Sequence, residues 1–238
     1  MPNRLQPDAP PVQNSLLARL PAADFERLRP HLKHVALRAH DRLMKPGIRT
    51  EHVYFPESGM VSLILSLEDG AAIEVGLIGN EGLVGVLPAL GASLVTSKAV
   101  VQIRGTALCM PTDVLRIEVG LNPSLRAALM LYLQALFVQV TQSVACNSHH
   151  TLRQRLARWL LMANDCGKTH EITLSHEFLA MMLGVRRPGV TVALGNLKSA
   201  GFITTGHGRI TIKDREHLEE VACECYGTVK REYERLLQ

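Results

Sequence analysis

The chain has 238 residues, 47% hydrophobic and 20% charged, the balance of a folded globular protein rather than a disordered one. Its net charge of +4 is too mild to name a partner, and its five cysteines, an odd count without framework spacing, point to a reducing, cytoplasmic interior rather than to disulfides. No apolar run is expected to be long enough to span a bilayer, and the polar N-terminus lacks the apolar stretch of a secretory signal.

In chain order, residues 1–14 are polar and Pro-rich and are expected to pack loosely. Leu16, Leu17, Leu20, Phe25 and Leu28 follow at helical spacing, and Pro21 and Pro30 cut the segment into two short helices. From about 34 to 112 the period becomes two. Val61, Leu63, Leu65 and Leu67 are expected on one strand face, as are Ala99, Val101 and Ile103 later. Recurrent glycines punctuate these runs, and Glu68-Asp69-Gly70 reads as a hairpin turn. The pattern predicts a small antiparallel sandwich or barrel.

At Asn122-Pro123-Ser124 the period turns helical, with Asn as a cap and Pro at a tolerated first-turn position. Met130, Leu133, Phe137, Val140 and Val144 form a seam at steps of three and four. Leu125, Leu129, Tyr132 and Leu136 form a second stripe beside it. One stripe docks a helix on its own domain; two predict a further partner, here a dimer mate. A helix over 124–146 would be about 34 Å long. Asn147-Ser148 is expected to break it, with a further helix over 149–165. The expected division is a sensor domain over 15–121, a dimerisation helix over 122–146 and a DNA-binding domain over 147–238.

The charge is unevenly spread: net +1 over residues 1–148, +6 over 149–213 and −3 over 214–238. The basic block is the footprint of a phosphate-binding surface. Within it, Ser175 is a helix cap, and Phe178, Leu179, Met182 and Leu183 line one face of a short helix. Gly184-Val185 forms a tight turn. A second helix over about 186–200 points Val190, Leu194 and Leu197 inward and Arg186, Arg187, Thr191 and Lys198 outward. Two short β runs around Gly206-His207-Gly208 make a wing. This register predicts a winged helix-turn-helix. Arg187 is expected to fork onto a guanine edge in the major groove. Arg186, Lys198, His176 and Arg209 are expected to meet phosphates.

With these residues in place, the chain resembles the Crp–Fnr family of bacterial transcription regulators. The segment FLAMMLGVRRPGVTVALGNLKSAGFI carries most of the likeness, with RLMKPG at 42–47, YFPESGMVSLI at 54–64 and IGNEGLVG at 78–85 as a looser N-terminal match. The resemblance implies an α+β fold: an N-terminal antiparallel β-roll of the cyclic-nucleotide-binding type, a long dimerisation helix and a C-terminal winged helix-turn-helix. It also implies Gly79, Glu81, Gly82 and Gly85 as ligand-binding positions. Implied partners are a second copy, a pseudo-palindromic double-stranded operator, RNA polymerase and a small-molecule effector of unknown identity, with no membrane.

The departures from the family are informative. Gly85 is followed by Val86 where cyclic-AMP-binding members have Glu, and only Lys98 is basic where they carry Arg, so tight cyclic-AMP binding is not expected. No Cys precedes Cys109, which leaves nothing for an N-terminal iron–sulfur cluster, and a lone His52 is a weak haem ligand. Pro188 follows Arg187 where many members have Glu, which predicts a different operator. No cofactor and no metal are expected: Cys223 and Cys225 would lie on different faces of an acidic helix, and Cys146, His149 and His150 would straddle a hinge. No H-x-H, G-x-S-x-G, P-loop or G-x-G-x-x-G occurs, so no enzyme is expected. The alternative reading is a small-molecule-binding module whose C-terminal domain makes protein contacts.

Overall fold

The computed structural model describes residues 12–167, 171–206 and 208–237; the expectations for residues 1–11 and for His207 at the wing tip fall outside them. Asn14 opens the described chain by capping Leu17 N–H at 3.1 Å, and two short helices follow, α1 (Ser15–Ala18) and α2 (Ala22–Leu28). Seven strands then form the roll: β1 (Lys33–Leu37), β2 (Arg42–Met44), β3 (His52–Pro56), β4 (Met60–Ser66), β5 (Ala72–Ile78), β6 (Lys98–Ile103) and β7 (Gly105–Pro111). They pair antiparallel in two sheets, ordered β1-β7-β3 and β2-β6-β4-β5. Gly70 takes φ +85° in the β4–β5 turn, where Asp69 accepts from Ala71 N–H at 2.9 Å.

The roll departs from the expected alternation at β4. Leu67 is exposed, whereas Met60 to Ile64 are all buried. Val61 and Leu63 face the roll interior, while Met60 and Ile64 join a second core with the C-terminal helices. Both sheet faces are covered, so a one-sided polar pattern does not develop there.

After α3 (Val86–Ala89) and α4 (Thr112–Leu121), the long helix α5 spans Pro123–His149, with Asn122 accepting from Leu125 N–H at 3.0 Å. It runs through the expected break. Ser148 satisfies its hydroxyl on the Val144 carbonyl at 3.0 Å, so neither it nor exposed Asn147 stops the helix. The turn comes at His150-Thr151, where Thr151 and Gln154 make a reciprocal capping box that starts α6 (Leu152–Gly167). The helix α5 is also long and apolar enough to cross a membrane, contrary to the expectation from run lengths. Its inner face is committed elsewhere: Leu125, Leu129, Tyr132 and Leu136 pack on the roll, and buried Gln139 both accepts from and donates to the Leu77 backbone, at 2.6 and 3.2 Å.

The C-terminal unit continues with β8 (Glu171–Thr173), α7 (His176–Met182), α8 (Arg187–Ser199), β9 (Ile203–Gly206), β10 (Arg209–Ile212), α9 (Arg215–Val221) and α10 (Cys225–Leu237). Strands β8-β10-β9 form its sheet. The last helix returns along α5, and Leu236 and Leu237 end in the roll core.

Candidate nucleic-acid interface

The local sequence dictates the shape of α7–turn–α8. Ser175 accepts from Phe178 N–H at 3.1 Å and starts α7. Leu179 and Met182 bury one face, and Gly184 turns the chain at φ +62°, a conformation β-carbon-bearing residues resist. The Ala180 carbonyl closes the turn by accepting from Val185 N–H at 2.9 Å. In α8, Val190, Leu194 and Leu197 are buried against α6, and Pro188 sits in the first turn where no N–H partner is lost. Helices α7 and α8 meet at 104°, within the range for a helix-turn-helix.

The outward residues share one surface. Arg187 is the first residue of α8 and Arg186 its exposed N-terminal neighbour. The Arg187 guanidinium lies 3.6 Å from Glu177, both well exposed. An exposed pair of this kind is worth under about 1 kcal/mol, so it orients the guanidinium without holding it from another acceptor. Thr191 Oγ1 donates to the Arg187 carbonyl at 3.2 Å and lies 3.0 Å from His176 Nδ1, which fixes one edge of that ring and leaves the other outward. Lys198 is exposed in the last turn of α8. Arg209, on β10, is held 3.3 Å from Glu171 beside the wing. Sequence reasoning passed over Val192, which is 64% exposed one turn beyond Pro188 on the outermost face of α8. Its signal was the i, i+4 step from Pro188, and an exposed methyl-bearing residue there suits a thymine methyl.

Comparison with known proteins is consistent across both halves. Residues 34–117 match the cyclic nucleotide-binding domain family, and residues 154–221 match the Crp-like helix-turn-helix domain family. The chain belongs to the Crp–Fnr family of transcription regulators. Among its relatives is the global nitrogen regulator of Synechocystis sp., 28% identical over 208 residues that cover 80% of this chain and 90% of that one. Two solved structures share the fold: a Crp/Fnr-family regulator from Eubacterium rectale (TM-score 0.68, 16% identity, covering 87% of this chain and 96% of the other) and FixK2 from Bradyrhizobium japonicum (TM-score 0.68, 17% identity, covering 81% and 98%).

In this Crp–Fnr chain the residues implied as a ligand site do not line an open roll. Glu81 folds back to accept from Gly79 N–H at 2.8 Å. Gly82 lies under the α5 side chain Tyr132, so close that a β-carbon would stand 2.5 Å from its hydroxyl. Gly85, at φ +98°, precedes α3, and Val86, Val95, Ala99 and Val101 fill the roll with Val53 and Leu63 as one apolar core. A cavity of about 220 Å³ instead lies outside the roll, between Glu81, Cys166 and Tyr233, where the roll meets α6 and α10. His52 is exposed on β3.

The expectation for the cysteines of this Crp–Fnr chain is corrected. Cys223 and Cys225 are not on two faces of one helix, because the helix breaks between Val221 and Cys225. Cys146 and His150 are not separated by a break at 147–148, because α5 continues to His149 and the turn comes only at His150-Thr151. All four come together, whereas His149 is exposed. A thiol hydrogen bond with Cys223, helped by the Arg158 charge, pulls Cys146 below the usual thiol range, while the same bond and burial push Cys223 up.

Proposed function

We propose that the chain acts as a homodimer that reads a pseudo-palindromic operator, with Arg187 as the base-reading side chain and Arg186, Ser175, His176, Thr191, Lys198 and Arg209 around the phosphates. The observation that carries this reading is the pairing of two unpartnered surfaces. One is the polar, basic face of α8. The other is the outer seam of α5, where Met130, Phe137 and Val144 are 53%, 65% and 65% exposed while the neighbouring stripe is buried on the roll. Apolar side chains this open, in a heptad-like row about 20 Å long, favour a second helix of the same kind. A C2 pairing along α5 puts two recognition helices on one DNA face, one helical turn apart.

The roll, on this reading, serves as a scaffold or senses an effector other than cyclic AMP. Its interior is packed with its own apolar side chains, and the stretch where cyclic-AMP-binding members carry Arg offers only Lys98 for a cyclic phosphate. On this reading residues 15–121 are the sensor or scaffold and the dimer helix expected over 122–146 extends to His149, so the DNA-binding unit expected over 147–238 starts at the His150-Thr151 turn. The test is a gel-shift series on genomic fragments at several salt concentrations, with cyclic AMP titrated separately by calorimetry. Retarded fragments whose affinity falls steeply with salt support the reading. Affinity indifferent to salt, or sub-micromolar cyclic-AMP binding, contradicts it.

A further inference from the structure

At the far end of α5, three cysteines and a histidine converge from segments about 75 residues apart. Cys146 and His150 sit one helical turn apart at the end of α5, and Cys223 and Cys225 flank the start of α10. Cys146 Sγ is 3.4 Å from Cys223 Sγ, and Cys225 Sγ is 3.5 Å from His150 Nδ1. The four potential ligand atoms all lie within 4.8 Å of one another. A tetrahedral zinc ion with Zn–S of about 2.3 Å and Zn–N of about 2.0 Å sets its ligand atoms about 3.5–3.8 Å apart. The cluster already has that scale, and its donors are the soft thiolates and imidazole that zinc selects.

The surroundings complete the site. The other ring nitrogen of His150, Nε2, lies 3.2 Å from the Glu224 carboxylate, the arrangement that fixes the ring and turns Nδ1 inward. Gln142 Nε2 donates to Cys225 Sγ at 3.1 Å. A zinc ion on three thiolates and one imidazole carries net charge −1. A cation is at hand: Arg158 is 8% exposed, its Nη2 donates to Ser143 Oγ at 3.0 Å one turn before Cys146 on α5, and its buried Nε has no hydrogen-bond partner. A disulfide accounts for less, since it would use Cys146 and Cys223 and leave unexplained the convergence of Cys225 on His150 and the Glu224 carboxylate on the other edge of that ring.

We propose that Cys146, His150, Cys223 and Cys225 bind one zinc ion in a closed, structural site. The ion joins the end of α5 to the start of α10, across the turn at His150-Thr151 that separates the long helix from the DNA-binding unit. Its role is to fix the angle at that turn. The site stands or falls independently of the operator-binding reading.

The test uses the full chain, purified without a histidine tag under reducing conditions. Metal analysis is expected to give one zinc per chain. After removal of zinc, titration with cobalt(II) alone is expected to give the intense visible absorption of tetrahedral, thiolate-ligated cobalt, saturating at one equivalent. Glu224→Gln, on the surface and outside the ligand set, should weaken cobalt binding about tenfold, and Cys225→Ser should shift the thiolate charge-transfer band. Absence of zinc together with failure of the unmodified chain to bind cobalt overturns the proposal. So does stoichiometric iron in place of zinc, or a Cys146–Cys223 disulfide in protein isolated with its thiols trapped. The titration of the unmodified chain decides the matter even if a cysteine variant fails to fold.

Discussion

Replacing Glu74 by Gln should make the protein more stable at neutral and alkaline pH, and the gain should vanish in acid. Glu74 lies on β5 between the roll and α6, where its carboxylate accepts from Ser62 Oγ at 2.5 Å and from Trp159 Nε1 at 2.7 Å. Burial outweighs these two hydrogen bonds and the Arg158 charge, and pushes its pKa from 4.5 to about 7. The folded chain therefore binds this proton more tightly than the unfolded chain does. Stability contributed by the group is fully present below about 4.5 and is lost as pH rises towards 7. At about 1.36 kcal/mol per pH unit, the ceiling is about 3 kcal/mol. Because the residue as a whole retains some solvent contact, about 1–3 kcal/mol is expected. Gln keeps both hydrogen bonds, with its amide donating to Ser62 and its carbonyl accepting from Trp159, and carries no charge at any pH. Urea unfolding of both proteins at pH 5, 6, 7 and 8 measures the difference. Trp159, the only tryptophan in the chain, reports from the interface itself. A stability difference that stays flat from pH 5 to pH 8 would show that Glu74 is ionised in the fold, and the reasoning from burial would fail.

Arg187→Ala should cost about 1–3 kcal/mol on a specific operator fragment and little on random DNA; equal losses on both would reduce Arg187 to a phosphate contact. Phe137→Glu places a charge in the exposed seam of α5 and should halve the mass seen by sedimentation without loss of helical signal, whereas an unchanged mass would place the dimer contact elsewhere. Gly82→Ala should destabilise the chain by about 1–3 kcal/mol in urea unfolding, because the new methyl meets the fully buried Tyr132 ring at 2.5–2.7 Å.

What was legible in the sequence was local. The α7–turn–α8 register could be read because Ser175, Gly184 and the Val190, Leu194, Leu197 row all act within thirty residues. On α5 the inner stripe was legible for the same reason; of the seam expected beside it, Met130, Phe137 and Val144 are exposed, whereas Leu133 packs against the roll core. The missed features depend on contacts between distant segments. Ile64 and Met60 looked like the open face of β4 until α6 and α7 covered them. Glu74 carries no local sign of burial on β5, and only Trp159, 85 residues along the chain, encloses it. The cysteine cluster was invisible because neither Cys146 with His150 nor Cys223 with Cys225 is a metal motif alone, and only the return of α10 along α5 brings the two pairs together.

The shared core beneath β4 and β5 also constrains how the protein can move. Met60, Ile64 and Leu77 of the roll are packed with Leu156, Leu160 and Leu179 of the C-terminal unit. Any pose that lifts α6 and α7 away from the sheet must wet those three roll side chains, at about 1.5–3 kcal/mol each. The winged helix is therefore not a head swinging on a tether. An operator that required such a lifted pose would find it populated in fewer than about one molecule in a thousand, and its apparent affinity would fall by that same fraction. For such an operator alone, a second ligand that loosened the sheet from α6 would raise DNA affinity without touching DNA.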